Sequence, residues 1–232
     1  MAATPSHCHS DNNFAPAPRL HNSFVATREK RLLVWMAHRA PAWINSDHLT
    51  ALGFIAQCLA GGCYALARWY PHSILLGIFF LALNWLGDSL DGTLARERNC
   101  QRPRYGFYVD HISDSVAALF LMGGLALSPF VHPAIACGML LAFLLLSIES
   151  YLATYTVGTF QLSYWKFGPT EIRILLAAGN LALVKHSIVT ILGTELRLFD
   201  LGGAIAITGM VAMFVVSTVK HTRQLHREER VR

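Results

Sequence analysis

Four aspartates dominate the chemistry this sequence can do: Asp88, Asp91, Asp110 and Asp114. Asp88 and Asp91 are three residues apart, and Asp110 and Asp114 four apart. On helices each pair therefore shares a face. Polar and basic residues fill the gap between the pairs, so a short loop joins two antiparallel helices. The two acidic faces can then converge. Hard oxygen ligands in such a cluster suit Mg²⁺ or Mn²⁺. Two divalent ions would balance four carboxylates, and a metal pair is a common clamp for displacement at phosphate.

Small residues accompany the acids. Gly92 and Ala95 lie one and four positions after Asp91, and Gly106 lies four before Asp110. A surface free of side chains there lets a flat or bulky ligand approach the backbone. Arg96 follows at once, a planar fork suited to phosphate oxygens. A single aspartate near a helix end would be an ordinary solvated edge. Four on matched faces, with glycine and arginine interleaved, argue for a site. A proton-coupled transporter is the alternative from another functional class, since it also carries carboxylates in helices. Transporters usually spread them near the midplane, often within inverted repeats.

The elements that must hold these residues are apolar. Of 232 residues, 53% are hydrophobic and 14% charged, and mean hydropathy is +0.40. A soluble domain carries about 25% charged residues. The chain therefore reads as an all-α integral membrane protein, which excludes most soluble enzyme folds and a disulfide scaffold. Six apolar segments approach the ~20 residues of a spanning helix: 49–67, 69–87, 106–129, 132–155, 168–187 and 201–219. The fifth is the weakest, because Arg173 and Lys185 interrupt it. Each aspartate at a helix centre costs roughly 2.5–3.5 kcal/mol on insertion, so these four need positive partners.

Residues 1–22 are rich in Pro, Ser, His and Asn and read as a disordered arm. Residues 23–48 hold an amphipathic stretch, Arg28 to Arg39, expected to lie on the membrane surface, and the lead into the first span. The six-helix catalytic domain is expected over 49–220, with a basic tail at 221–232. Fifteen of the 19 Lys and Arg residues fall on the side of the termini and the 96–104 loop. The positive-inside rule puts that side in the cytoplasm. This membrane pattern accounts for the net charge of +5 without nucleic acid. The five cysteines show no CxxC spacing and read as small hydrophobes.

The run Asp88-Ser-Leu-Asp91-Gly92-Thr-Leu-Ala95-Arg96, nine residues, then Gly106-x3-Asp110-x3-Asp114, resembles the signature of the CDP-alcohol phosphotransferases. All eight signature residues are present at the family spacing. The Pro41 to Thr50 stretch is similar to the family's lead into its first span. The resemblance implies transfer of a phosphoalcohol from a CDP-linked donor to an acceptor hydroxyl, with release of CMP. It implies that Asp88, Asp91, Asp110 and Asp114 hold two Mg²⁺ or Mn²⁺ ions, and that Asp114 takes the hydroxyl proton. It implies a CDP site at Gly92, Ala95, Arg96 and Gly106, membrane lipids as surroundings and substrates, and a homodimer.

Two branches of that family remain open. One uses CDP-diacylglycerol and a polar alcohol; there Lys166 and Arg173 are the acceptor-phosphate candidates. The other uses a CDP-aminoalcohol and diacylglycerol, and three features favour it. Asp110-His111 resembles that branch's Asp-His pair, with His111 a candidate base. Glu149-Ser-Tyr151 followed by Gly158-Thr159, and Gly168-Pro169-Thr170-Glu171, resemble its later motifs. Glu149 and Glu171 are then head-group candidates. A buried Glu149 needs a partner, either a base or a substrate cation. Phe107 departs from the branch, which often has an acid there.

Overall fold

The computed structural model describes residues 19–20, 26–158, 160–161, 169–185, 188–191 and 194–229. Most of the N-terminal arm, Thr159, Lys166, Gly168 and the end of the tail lie outside the described residues. So does the side chain of Glu171. Seven helices are described: α1 Ala26–Arg39, α2 Ser46–Leu66, α3 Ser73–Glu97, α4 Pro103–Leu127, α5 Pro133–Thr156, α6 Pro169–Lys185 and α7 Leu198–Glu228. The short strands β1 Arg19–Leu20 and β2 Phe160–Gln161 pair in parallel. Strands β3 Ile188–Ile191 and β4 Thr194–Arg197 form an antiparallel hairpin between α6 and α7, which the apolar pattern did not suggest.

The fold is that of an all-α integral membrane protein. By length and composition, α2, α3, α4, α5 and α7 can each cross a bilayer. The fifth expected span, 168–187, is shorter. Helix α6 has 17 residues, with an apolar stretch over 172–183. Its start is occupied by Arg173, which is engaged with α3 as described below.

Helix α3 does not stop where its apolar run ends. Leu90 and Leu94, four apart, are buried against Leu33 and Ala37 of α1. Trp85 Nε1 donates to Glu29 Oε1 at 2.8 Å, adding a polar clasp to the same contact. Packing on α1 thus carries α3 through the whole acidic motif to Glu97. There Asn99 takes a left-handed φ of 53°. The Cys100 amide donates to the Ala95 carbonyl at 2.9 Å and the Asn99 amide to Arg96 at 3.1 Å. This is a Schellman termination, and asparagine tolerates the left-handed position it needs. Pro103 then opens α4 at a position where its missing N–H costs nothing. The turn is short, so the acidic ends of α3 and α4 stay together.

Two glycine contacts set α2 against this hairpin of helices. A Cβ on Gly87 would lie 2.6 Å from the Gly53 nitrogen and 2.6 Å from the Leu49 carbonyl oxygen. A Cβ on Gly61 would lie 2.3 Å from the Phe120 carbonyl oxygen, and one on Gly124 1.9 Å from that of Gly61. Helix α2 therefore touches α3 and α4 backbone to backbone. Apolar helices in lipid gain little from hydrophobic association, and small residues at the seam let dispersion and polar contacts act. Asn84 Nδ2 donates to the Gly53 carbonyl at 3.0 Å in the α2–α3 seam.

Side chains anchor the rest. Arg98 donates to the carbonyls of Ile44 (2.5 Å), Ala40 (2.9 Å) and Pro41 (3.0 Å), tying the α1–α2 connection to the end of α3. Arg102 pairs with Asp47 at the start of α2. The fully buried Tyr64 hydroxyl donates to Asn180 Oδ1 at 2.9 Å, fixing α6 to α2. Helix α7 packs on α5, where Gly203 meets Ile135 and Met139.

Candidate functional site

The four aspartates line one cleft between α2, α3 and α4. Its other walls include Thr50, Gly53, Phe54, Gln57, Asn84, Ser113 and Ala117. Helix periodicity explains the sorting on α3. Leu90 and Leu94 turn to α1, while Asp88 and Asp91 turn to the cleft. On α4, Asp110, Ser113, Asp114 and Ala117 share the inner face.

Asp91 is buried and held from three directions. Thr50 Oγ1 donates to its Oδ2 at 2.6 Å. The Gly92 amide donates to its Oδ1 at 2.5 Å. Ser46 Oγ donates to its backbone carbonyl at 3.1 Å. A carboxylate offers about four acceptor positions. Two are used, so Asp91 is oriented and still able to ligate. Asp88 is held differently. Arg173 of α6 reaches across and donates to Asp88 Oδ2 at 2.7 Å, in a partly buried ion pair. Asp114 interacts electrostatically with Asp88, Asp91, Asp110 and Arg173.

The donor set is chemically right for a hard divalent cation: four carboxylates with the hydroxyls of Thr50 and Ser113 beside them. Among the described residues, no three of the acidic or histidine side chains already close on a single ion position. Asp88 is instead turned to Arg173. Space beside the motif is consistent with a ligand. A Cβ on Gly106 would meet nothing within 4 Å, and one on Gly92 only the Arg96 guanidinium at 3.4 Å. Arg96 Nη2 donates to Thr93 Oγ1 at 3.0 Å. Ala95 is the carbonyl acceptor in the turn that ends α3.

His111 faces another neighbour. Its ring lies 4.1 Å from that of Phe107 and 4.7 Å from that of Tyr151 on α5, centroid to centroid and tilted in both cases. Phe107 thus supplies an aromatic wall where an acid was a family alternative. Glu149 is not at the cleft. It lies on the α7-facing side of α5, 8% exposed, and its Oε1 is 2.6 Å from Nδ1 of His221, itself 9% exposed. The partner that Glu149 requires is therefore a histidine 72 residues away. Sequence reasoning missed His221, because nothing local links it to α5. It also missed Thr50 and Ser46, although both lie in the polar stretch leading into the first span.

The fold and the cleft together define a class: an all-α integral membrane protein with a carboxylate-lined cleft, an arginine beside it and open glycine surface. The family model for CDP-alcohol phosphatidyltransferase matches residues 43–219. The chain belongs to that family. It is also 25% identical over 190 residues to cholinephosphotransferase 1 of Gallus gallus, across 76% of this chain and 56% of that protein. The chain thus spans little more than half the length of this relative. Family membership leaves the transporter reading without support.

Proposed function

We propose that the protein transfers a phosphoalcohol from a CDP-aminoalcohol to diacylglycerol. The acceptor hydroxyl oxygen attacks the phosphorus bearing the alcohol. The bond from that phosphorus to the bridging oxygen breaks, and CMP leaves with the electron pair. The single observation that carries the transfer chemistry is the convergence of the four signature aspartates on one cleft. The donor choice draws on the Asp110-His111 pair and the similarity to cholinephosphotransferase 1. Transfer from CDP-diacylglycerol to a polar alcohol is the second reading, favoured by Arg173 standing beside the cleft as an anion ligand.

Asp88, Asp91, Asp110 and Asp114 would hold Mg²⁺ or Mn²⁺, two ions in all, and these would neutralise the donor's pyrophosphate. Thr50 and the Gly92 amide keep Asp91 aimed. Arg96, Gly92, Ala95 and Gly106 form the proposed CDP surface. Two groups are assigned to the acceptor proton, Asp114 on the cleft wall and His111 on the α5 side. A positioned base near the hydroxyl contributes about 10²–10⁴-fold. Asp114→Asn and His111→Gln separate them: at saturating Mn²⁺, the base is the one whose loss lowers kcat and removes its ionisation from the pH profile of kcat. We place both termini and the 96–104 loop on the cytoplasmic side, on the distribution of Lys and Arg, α1 on that membrane surface, and the active form in a homodimer.

The test is CMP release by the purified protein in detergent with Mn²⁺, from CDP-choline, CDP-ethanolamine and CDP-diacylglycerol, each with and without diacylglycerol or small alcohols. Diacylglycerol-dependent release from a CDP-aminoalcohol is the expected result, abolished by EDTA and by Asp91→Asn. Release from CDP-diacylglycerol alone would replace the first reading by the second. Release at the wild-type rate from Asp91→Asn would sink both.

A further inference from the structure

Arg173 stands out once the cleft is described. It comes from α6, a helix that contributes none of the signature residues, yet it bonds the first of them at 2.7 Å. The Arg173 side chain is 16% exposed and that of Asp88 34%. Their meeting is specific to the tertiary fold, because 85 residues separate them in sequence. Arg173 also acts electrostatically on Asp114, so one cation serves two walls of the cleft.

We infer that Arg173 is a counter-charge that occupies Asp88 until divalent ions enter, and so sets the affinity of the cleft for them. This rests on the metal-dependent reading above. Four carboxylates in partly buried surroundings repel one another, and a positive charge among them relieves that repulsion. The same charge opposes a divalent cation twice. It repels the ion directly, and it holds an oxygen of Asp88 that the ion would take. The direction of Asp88 fits this role, since one of its oxygens accepts from Arg173. Asp91 differs: its partners are a hydroxyl and an amide, which orient it without opposing a cation. With Asp88 ligating, the released guanidinium remains at the cleft, where phosphate oxygens are its natural bidentate partners. Arg173 is thus a positioning residue that trades one anion for another.

The experiment is Mn²⁺ binding to the purified protein in detergent without substrate, read from the loss of the free-ion EPR signal. Asp91→Asn marks which binding belongs to the cleft. Arg173→Gln is expected to bind Mn²⁺ about tenfold more tightly than wild type. It should also melt at a lower temperature in EDTA and gain more from Mn²⁺, because ligand-linked stabilisation grows with affinity. Arg173→Lys keeps the charge on a less directional head and should tighten binding two- to threefold, which covers the case in which Arg173→Gln does not fold. Unchanged or weaker Mn²⁺ binding in these variants, with Asp91-dependent binding intact in wild type, overturns the inference alone. Absence of Asp91-dependent binding in wild type overturns the metal reading and the inference together.

Discussion

Gly87→Ala should disable the site without touching any of its chemical groups. The added methyl carbon would lie 2.6 Å from the Gly53 nitrogen, 2.6 Å from the Leu49 carbonyl oxygen and 2.8 Å from the Gly53 Cα. All three are backbone atoms of α2, so no side chain can swing away. An ordinary contact needs about 3.5 Å, so α2 and α3 must part locally by about 0.9 Å. Thr50 and Asp91 sit in the same seam, and their 2.6 Å hydrogen bond would stretch to about 3.5 Å, beyond useful range. Overpacking costs about 1–3 kcal/mol. Alanine recovers roughly 0.8–1 kcal/mol through its better helix propensity, so the net loss of stability is modest. Activity should suffer more, since a misplacement of about 1 Å can cost about 10²-fold. The assay is CMP release beside a melting curve in detergent. Gly77→Ala is the control, because its Cβ would meet only the Cys63 Cβ at an ordinary 3.6 Å. A Gly87→Ala protein with wild-type turnover would refute the reasoning. So would a Gly77→Ala protein as impaired as Gly87→Ala, since the effect would then not come from the crossing.

Other outcomes follow from contacts away from the cleft. His221→Ala leaves Glu149 buried without its hydrogen-bond partner, and a buried polar group left unsatisfied costs about 1–3 kcal/mol; the melting temperature should fall, and Glu149→Gln in the same chain should restore part of it. Tyr64→Phe removes the bond to Asn180 and should cost about 1–3 kcal/mol, seen as a lower melting temperature with Mn²⁺ affinity unchanged. Arg98→Met frees the carbonyls of Ala40, Pro41 and Ile44, so trypsin should cut after Arg39 faster than in wild type; an unchanged cleavage rate would count against Arg98 as the strut of that connection.

The sequence by itself determined the family and the solvent. An apolar composition with few charges selects helices in a bilayer, because unsatisfied backbone polar groups are too costly in lipid. The intervals of three and four between aspartates place each pair on one face, since helical geometry is local and repeats every 3.6 residues. Those two facts, with the Gly92, Ala95, Arg96 and Gly106 spacing, led to the family before any contact was known. Helix boundaries were less legible. The apolar run of α3 ends near Gly87, but the helix continues to Glu97 because Leu90 and Leu94 find Leu33 and Ala37 of α1. Only the tertiary structure decided partnership. Glu149 faces His221 and not the cleft, Asp88 faces Arg173, and Asp91 is aimed by Thr50 from another helix. The physical reason is range. Periodicity fixes which way a side chain leaves its own helix, but what it meets depends on how closely two helices approach. Here that approach is set by Gly53 against Gly87 and Gly61 against Gly124, contacts made by the absence of side chains and therefore silent in any pattern of hydrophobic or charged residues.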